Sequence, residues 1–143
     1  MGRIVALDVG RKRTGIAVTD PLQLIATPID TLPTAKVPEF LCQYVQQEDV
    51  EFLVVGLPTT MRYQPSEAER YIVPLLNRLA KVLPTLRIER YDERFTSKLA
   101  FQTMLDGGVP KIKRQDKALV DRISAQIILE SYLEARQAQQ ARE

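Results

Sequence analysis

Apolar positions fall in short blocks whose period changes along the chain. Ile4 to Val9 is a short apolar run ending at Gly10, the pattern of a buried strand. Gly15 to Thr19 is a second such run, and the residues from Gly10 to Gly15 form a turn between the two. Ile25 to Leu32 is a third strand, which Pro28 and Pro33 assign to a sheet edge. Pro38 to Gln47 reads as a helix with Phe40, Leu41, Tyr44 and Val45 on one side. Val50 to Val55 is a strand stopped by Gly56-Leu57-Pro58. Ser66 to Leu83 is a helix opened by a capping-box-like Ser66 and Glu69, which Pro74 is expected to kink or restart. Leu86 to Tyr91 is the fifth strand. Thr96 to Leu105 is a helix closed by Gly107 and Gly108. A basic loop leads to Lys117, and a last helix begins at Asp116 or Asp121 and runs to about Arg136.

Three strands joined by short turns pair antiparallel, whereas strands separated by helices pair parallel through right-handed crossovers. The chain is therefore expected to be α/β, with a mixed five-stranded sheet flanked by helices. Residues 1–138 read as one domain, and residues 139–143 as a polar C-terminal tail expected to fray.

Composition narrows the chemistry. The chain of 143 residues contains no histidine and one cysteine, Cys42. No Ser-His-Asp or Cys-His triad can be assembled, and too few soft ligands remain for a zinc site. A single cysteine cannot form an intrachain disulfide, which fits a reducing compartment. The N-terminal apolar run is broken by Asp8, so it is not expected to act as a signal peptide, and no apolar run approaches membrane-spanning length. A soluble cytoplasmic protein is expected. The 20 Lys+Arg nearly balance the 18 Asp+Glu, so distribution matters more than net charge.

Three groups of acids stand out. Asp8 ends an apolar strand, where an ionised carboxylate is costly unless compensated; from position alone it serves equally as a turn cap or as a functional acid. Asp92 and Glu93 follow the fifth strand, and alternation places only one of them on a given face. The plainer reading of Asp92-Glu93 is a charged loop paired with Arg90 or Arg94. Asp121 begins a helical stripe with Ser124, Ala125, Ile128 and Tyr132, in which small residues permit close approach to a sheet. Its plainer reading is an acid at a helix N-terminus.

Carboxyl ends of strands are where open α/β sheets place their sites. The three acidic groups would converge there, and without histidine their natural compensation is Mg²⁺ or Mn²⁺. Two such ions about 4 Å apart support phosphodiester hydrolysis. Basic residues border both regions. Arg11, Lys12 and Arg13 follow the Asp8 strand, and Lys111, Lys113, Arg114 and Lys117 precede Asp121. Arg11, Lys12, Arg94, Lys111, Lys113 and Arg114 are the candidate phosphate contacts. Thr96 and Ser97 fit helix caps, and Tyr63 fits either a base-stacking or a packing role. Gly10-x4-Gly15 lacks the Lys-Ser/Thr of a Walker A loop, and there is no Gly-x-Gly.

Four segments in order resemble the YqgF/RuvX family of Holliday-junction-resolvase-like proteins and pre-16S rRNA nucleases. They are Asp8-Val-Gly-Arg-Lys-Arg-Thr-Gly15, Val55-Gly-Leu-Pro58 with Met61, Asp92-Glu-Arg-Phe-Thr-Ser97, and Lys117-x-x-Val120-Asp121 with the helix after it. The resemblance implies an RNase H-like fold. It implies an acidic triad of Asp8, Glu93 and Asp121, with Glu93 preferred to Asp92 by analogy with RuvC resolvases. In that assignment Asp8 is shared by two Mg²⁺ or Mn²⁺ ions. The implied role is trimming the 5′ end of the 16S rRNA precursor, on or near the small ribosomal subunit, by a monomer or homodimer. Resolution of branched DNA junctions is the older implied role. A non-catalytic nucleic-acid-binding module and an ATP phosphotransferase are the rival classes. The chain departs from the family pattern at Arg62-Tyr63, at Thr14, where an apolar residue is usual, and at Arg122-Ile123, where small residues are usual.

Overall fold

A computed structural model of the protein describes residues 2–57, 67–92 and 117–141. Its strands are β1 (Arg3–Val9), β2 (Arg13–Thr19), β3 (Ala26–Pro33), β4 (Val50–Leu57) and β5 (Arg87–Asp92). A 3-10 turn (Thr34–Lys36) leads into α1 (Val37–Gln47), followed later by α2 (Glu69–Val82) and α3 (Lys117–Ala141). The sheet order is β3-β2-β1-β4-β5. β1, β2 and β3 pair antiparallel; β1, β4 and β5 pair parallel. This is the mixed five-stranded sheet expected from the sequence, and β3, with its two prolines, lies at an edge.

Strand alternation divides the core in two. Val5, Leu7, Val9, Leu53 and Val55 pack against Val37 and Leu41 of α1 and Ile72, Leu75 and Leu79 of α2. Ile4, Ala6, Ala17, Phe52 and Val54 pack against Ala125, Ile128, Leu129 and Leu133 of α3. The interior of β1 is apolar on both faces, as burial under helices on both sides demands. Phe52 anchors the α3 face, edge-on to Tyr132 with ring centroids 5.9 Å apart.

Two expectations are corrected and a third is narrowed. α2 runs through Pro74 as one helix, so Pro74 does not restart it. Pro74 is exposed, so the carbonyl its ring leaves without a donor can turn to water. Of the two starts offered for the last helix, the earlier agrees with the structure: α3 begins at Lys117 among the described residues, which places Asp121 one turn inside the helix. It also continues past Arg136 to Ala141, because the polar residues after Arg136 extend an exposed helix without needing a buried face. Ser66 of the proposed capping box and the helix expected at Thr96–Leu105 lie outside the described residues. Among the described residues no helix is long and apolar enough to cross a membrane.

Candidate active site

Asp8 sits at the carboxyl end of β1, half-buried, with the same parity as Ile4 and Ala6, and so on the α3 face. Its antiparallel partner in β2 is Gly15. Gly15 in turn touches α3: a Cβ built there would run into the carbonyl of Asp121, and would lie 2.8 Å from the Arg122 nitrogen. Only glycine permits this approach. Asp8, Gly15 and Asp121 thus form one continuous contact path across two strands and a helix. The small side chains of the sheet, Ala6 and Ala17, continue the same close seat beneath Ala125. Of the inward stripe expected of α3, Ala125 and Ile128 are buried and Asp121, Ser124 and Tyr132 are half-buried; Leu129 joins them in the core.

Asp121 is not at a helix start and needs no dipole to explain it. Its Oδ2 accepts a hydrogen bond from Arg13 Nε at 2.9 Å, with the two side chains 26% and 42% exposed. Sequence reasoning grouped Arg13 with the basic run and gave it no role of its own. Pairing across a fold is invisible to local pattern.

The basic turn itself is held in place. Gly10 N–H donates to the Arg13 carbonyl at 2.8 Å, and Thr34 N–H donates to the Lys12 carbonyl at 2.9 Å. Thr34 Oγ1 donates to the Gly10 carbonyl at 2.6 Å and lies 2.9 Å from Thr14 Oγ1. Thr14 is fully buried, and this hydroxyl pair accounts for the presence of threonine where an apolar residue is usual. Thr31 Oγ1 bonds to the Ala118 carbonyl, tying β3 to the first turn of α3. Arg11 lies over the ring of Tyr71 in α2, 5.9 Å from its centroid, and Lys12 is exposed.

At the far edge, β5 separates its residues by parity. Tyr91 meets Ser131 and Tyr132 of α3, and Glu89 accepts from Tyr132 Oη. Ile88 packs with the α1/α2 core, and Arg90 reaches α2. Asp92, paired in register with Leu57, shares the parity of Ile88 and Arg90. Glu93 has the sequence parity of Glu89 and Tyr91. Arg90 has a described partner of its own in α2. Its guanidinium forks onto both carboxylate oxygens of Glu69 at 2.9 and 3.0 Å, and also binds the Gly56 carbonyl at 2.8 Å. Glu93, Arg94, Thr96, Ser97, Lys111, Lys113, Arg114, Arg62 and Tyr63 lie outside the described residues.

The family model described as RuvX, Holliday junction resolvase, matches residues 2–135. A Phocaeicola vulgatus protein named "Putative pre-16S rRNA nuclease" is 55% identical over 136 residues, covering 95% of this chain and 98% of its own. A Porphyromonas gingivalis protein of the same name is 53% identical over 134 residues, covering 94% and 97%. The chain belongs to the RuvX family. The structure of T. thermophilus RuvC in complex with a Holliday junction substrate is similar at a TM-score of 0.55 and 11% identity, covering 94% of this chain and 96% of that one. A second Thermus thermophilus RuvC structure matches at a TM-score of 0.52 and 14% identity. RuvX here therefore has the RNase H-like fold of RuvC.

The donor chemistry of this RuvX site suits a hard cation. Asp8 and Asp121 offer only oxygen, and the chain has no histidine to compete. Cys42 belongs to α1, on the opposite side of the sheet from α3. Among the described residues no three acidic or thiol side chains cluster. Of the departures from the family pattern, Arg122 has a buried Nε with no hydrogen-bond partner among the described residues, and nothing in the structure explains its presence.

Proposed function

We propose that this RuvX protein is a divalent-metal-dependent nuclease that hydrolyses phosphodiester bonds and processes the 5′ end of the 16S rRNA precursor in the cytoplasm. The observation that carries the reading is the Asp8–Gly15–Asp121 contact path, which joins two acids far apart in sequence at one end of the sheet. The names of the bacterial relatives point to the substrate. Residues 1–138 form the nuclease domain in this reading.

Asp8, Glu93 and Asp121 would hold Mg²⁺ or Mn²⁺. The parity of β5 supports Glu93 over Asp92. Such ions supply Lewis-acid activation of water and of the phosphoryl group. The chain's own residues do the rest. Asp8 and Asp121 concentrate negative charge at the strand end, and Arg13 balances Asp121 while no cation is bound. Lys12, exposed at the turn, and Arg11 beside it are placed to meet phosphates, joined by Arg94, Lys111, Lys113 and Arg114. The Thr34 hydrogen bonds keep that turn from yielding when a phosphate approaches. The small ribosomal subunit is the expected partner, and end-trimming needs no more than a monomer.

The test is side-by-side cleavage of a structured precursor RNA and a four-way DNA junction by purified protein with Mn²⁺. Preferential RNA cleavage that disappears in Asp8→Asn supports the reading. Cleavage that survives Asp8→Asn overturns the site assignment. Preference for the junction replaces the substrate with branched DNA.

A further inference from the structure

The turn between β2 and β3 reverses the usual placement of polar and apolar side chains. Its polar residues are used for internal structure. Asp20 accepts the backbone N–H groups of Leu22 at 3.2 Å and of Leu24 and Ile25 at 2.8 Å each. The bond from Ile25 is the main reason its carboxyl lies below its ordinary range. Gln23 is buried with φ of 60°, in the left-handed region. Its amide bonds to the Gly2 carbonyl at 2.7 Å, to the Glu51 carboxylate and to the Arg136 guanidinium. Its apolar residues face water. Leu22, Leu24 and Ile25 are 66%, 62% and 67% exposed. Isolated exposed leucines are ordinary, but three large apolar side chains on one pinned turn form a preorganised patch.

The patch adjoins a groove of about 400 Å³ against α3, lined by Leu24, Ile25, Leu133, Glu130, Glu134 and Gln137. Glu130 and Glu134 stand one turn apart, and like charges at that spacing disfavour a helix. Among the described residues neither forms an ion pair. Burial pushes the Glu130 carboxyl up, opposed by its bond from Gln126, and the Glu134 charge adds to the rise. An acidic rim repels nucleic acid and anionic lipid, and two such rims repel each other. It attracts cations.

We propose that the β2–β3 turn and the adjoining face of α3 form a docking surface for a protein partner whose segment carries large apolar side chains flanked by lysine or arginine. The apolar side chains cover Leu22, Leu24 and Ile25, and the basic ones answer Glu130 and Glu134. β2 runs antiparallel to β1, so this surface lies at the end of the sheet opposite Asp8. A bound partner leaves the candidate active site open. The inference does not depend on the nuclease reading.

The probe is a short amphipathic Leu/Lys peptide titrated into ¹⁵N-labelled full-length protein, with its Leu/Glu counterpart as control. Shifts are expected at Leu22–Ala26 and Glu130–Gln137 with the Leu/Lys peptide alone. Leu24→Ser/Ile25→Ser and Glu130→Gln/Glu134→Gln are each expected to weaken binding about tenfold. All four positions are at the surface, and preserved spectral dispersion confirms the variants' fold. Shifts elsewhere, no shifts, or equal binding of the Leu/Glu peptide would overturn the proposal. Concentration-dependent shifts at these residues without peptide would assign the surface to a second copy of the chain and overturn it too.

Discussion

Arg13 Nε donates to Oδ2 of Asp121 at 2.9 Å, joining residues that stand 108 positions apart in the sequence. The pair occupies one carboxylate oxygen of a proposed metal ligand with a guanidinium. A divalent cation binding there competes with the Arg13 charge, so Arg13→Gln is expected to tighten Mn²⁺ binding several-fold in calorimetric titration. The pair is well exposed and is worth about 0–1 kcal/mol, so metal-free stability should barely move. Unchanged or weaker Mn²⁺ affinity would show that Arg13 does not compete for Asp121.

Gly15→Ala tests the close seat of α3 on the sheet. The new Cβ meets backbone, the Asp121 carbonyl, which cannot swing aside as a side chain would. Overpacking of this kind costs about 1–3 kcal/mol. Thermal unfolding should fall by several degrees, and any Mn²⁺-dependent cleavage should fall with it at temperatures where the variant stays folded. A variant with wild-type stability and activity would remove Gly15 from the site's architecture.

Arg122→Met is expected to stabilise the protein. It keeps an unbranched stem and removes a buried Nε–H that has no acceptor among the described residues, a deficit of about 1–3 kcal/mol before relaxation. A higher denaturant midpoint with an unchanged slope is the expected result. A lower midpoint would mean that the guanidinium finds a partner in solution.

Alkaline stability should depend on Tyr132. Burial, then the hydrogen bond to Glu89 and the Glu89 charge, push its phenol up to about 12 from an ordinary 10.0, despite opposing effects from Arg136. The folded state therefore holds a proton that the unfolded state releases first. The stabilisation is fully present below pH 10.0 and is lost as pH rises toward about 12. Denaturation midpoints of Tyr132→Phe should fall less steeply over this range than those of the wild type. Some slope remains, because burial also raises the phenol of Tyr44. Equal slopes in the two proteins would contradict the burial of Tyr132 Oη.

Local pattern was enough to order the described strands and helices. The continuous apolar run Ile4–Val9 encodes a strand buried on both faces, and the helical stripe at Ala125, Ile128 and Tyr132 encodes the face α3 turns to the sheet, because water expels the same side chains whatever the fold. Helix bounds were less legible. Pro74 does not interrupt α2, and α3 outruns Arg136, since exposed polar helix carries no apolar periodicity to read.

The acids were legible as residues out of place, and the absence of histidine directed attention to them. Their arrangement was not. Register pairs Asp8 with Gly15, and helix packing seats Asp121 against that glycine. Arg13 and Thr34 acquire their roles only through partners distant in the chain. In sequence Ile25 reads as the first residue of the third strand, and Leu22 and Leu24 prompt no reading; only the folded turn shows all three in water. By itself the sequence determined the chemistry available to this protein, because side-chain ionisation and hydrophobicity belong to residues singly. The tertiary structure decided which of those groups meet, because proximity between distant residues arises from sheet register and helix packing and from no local signal.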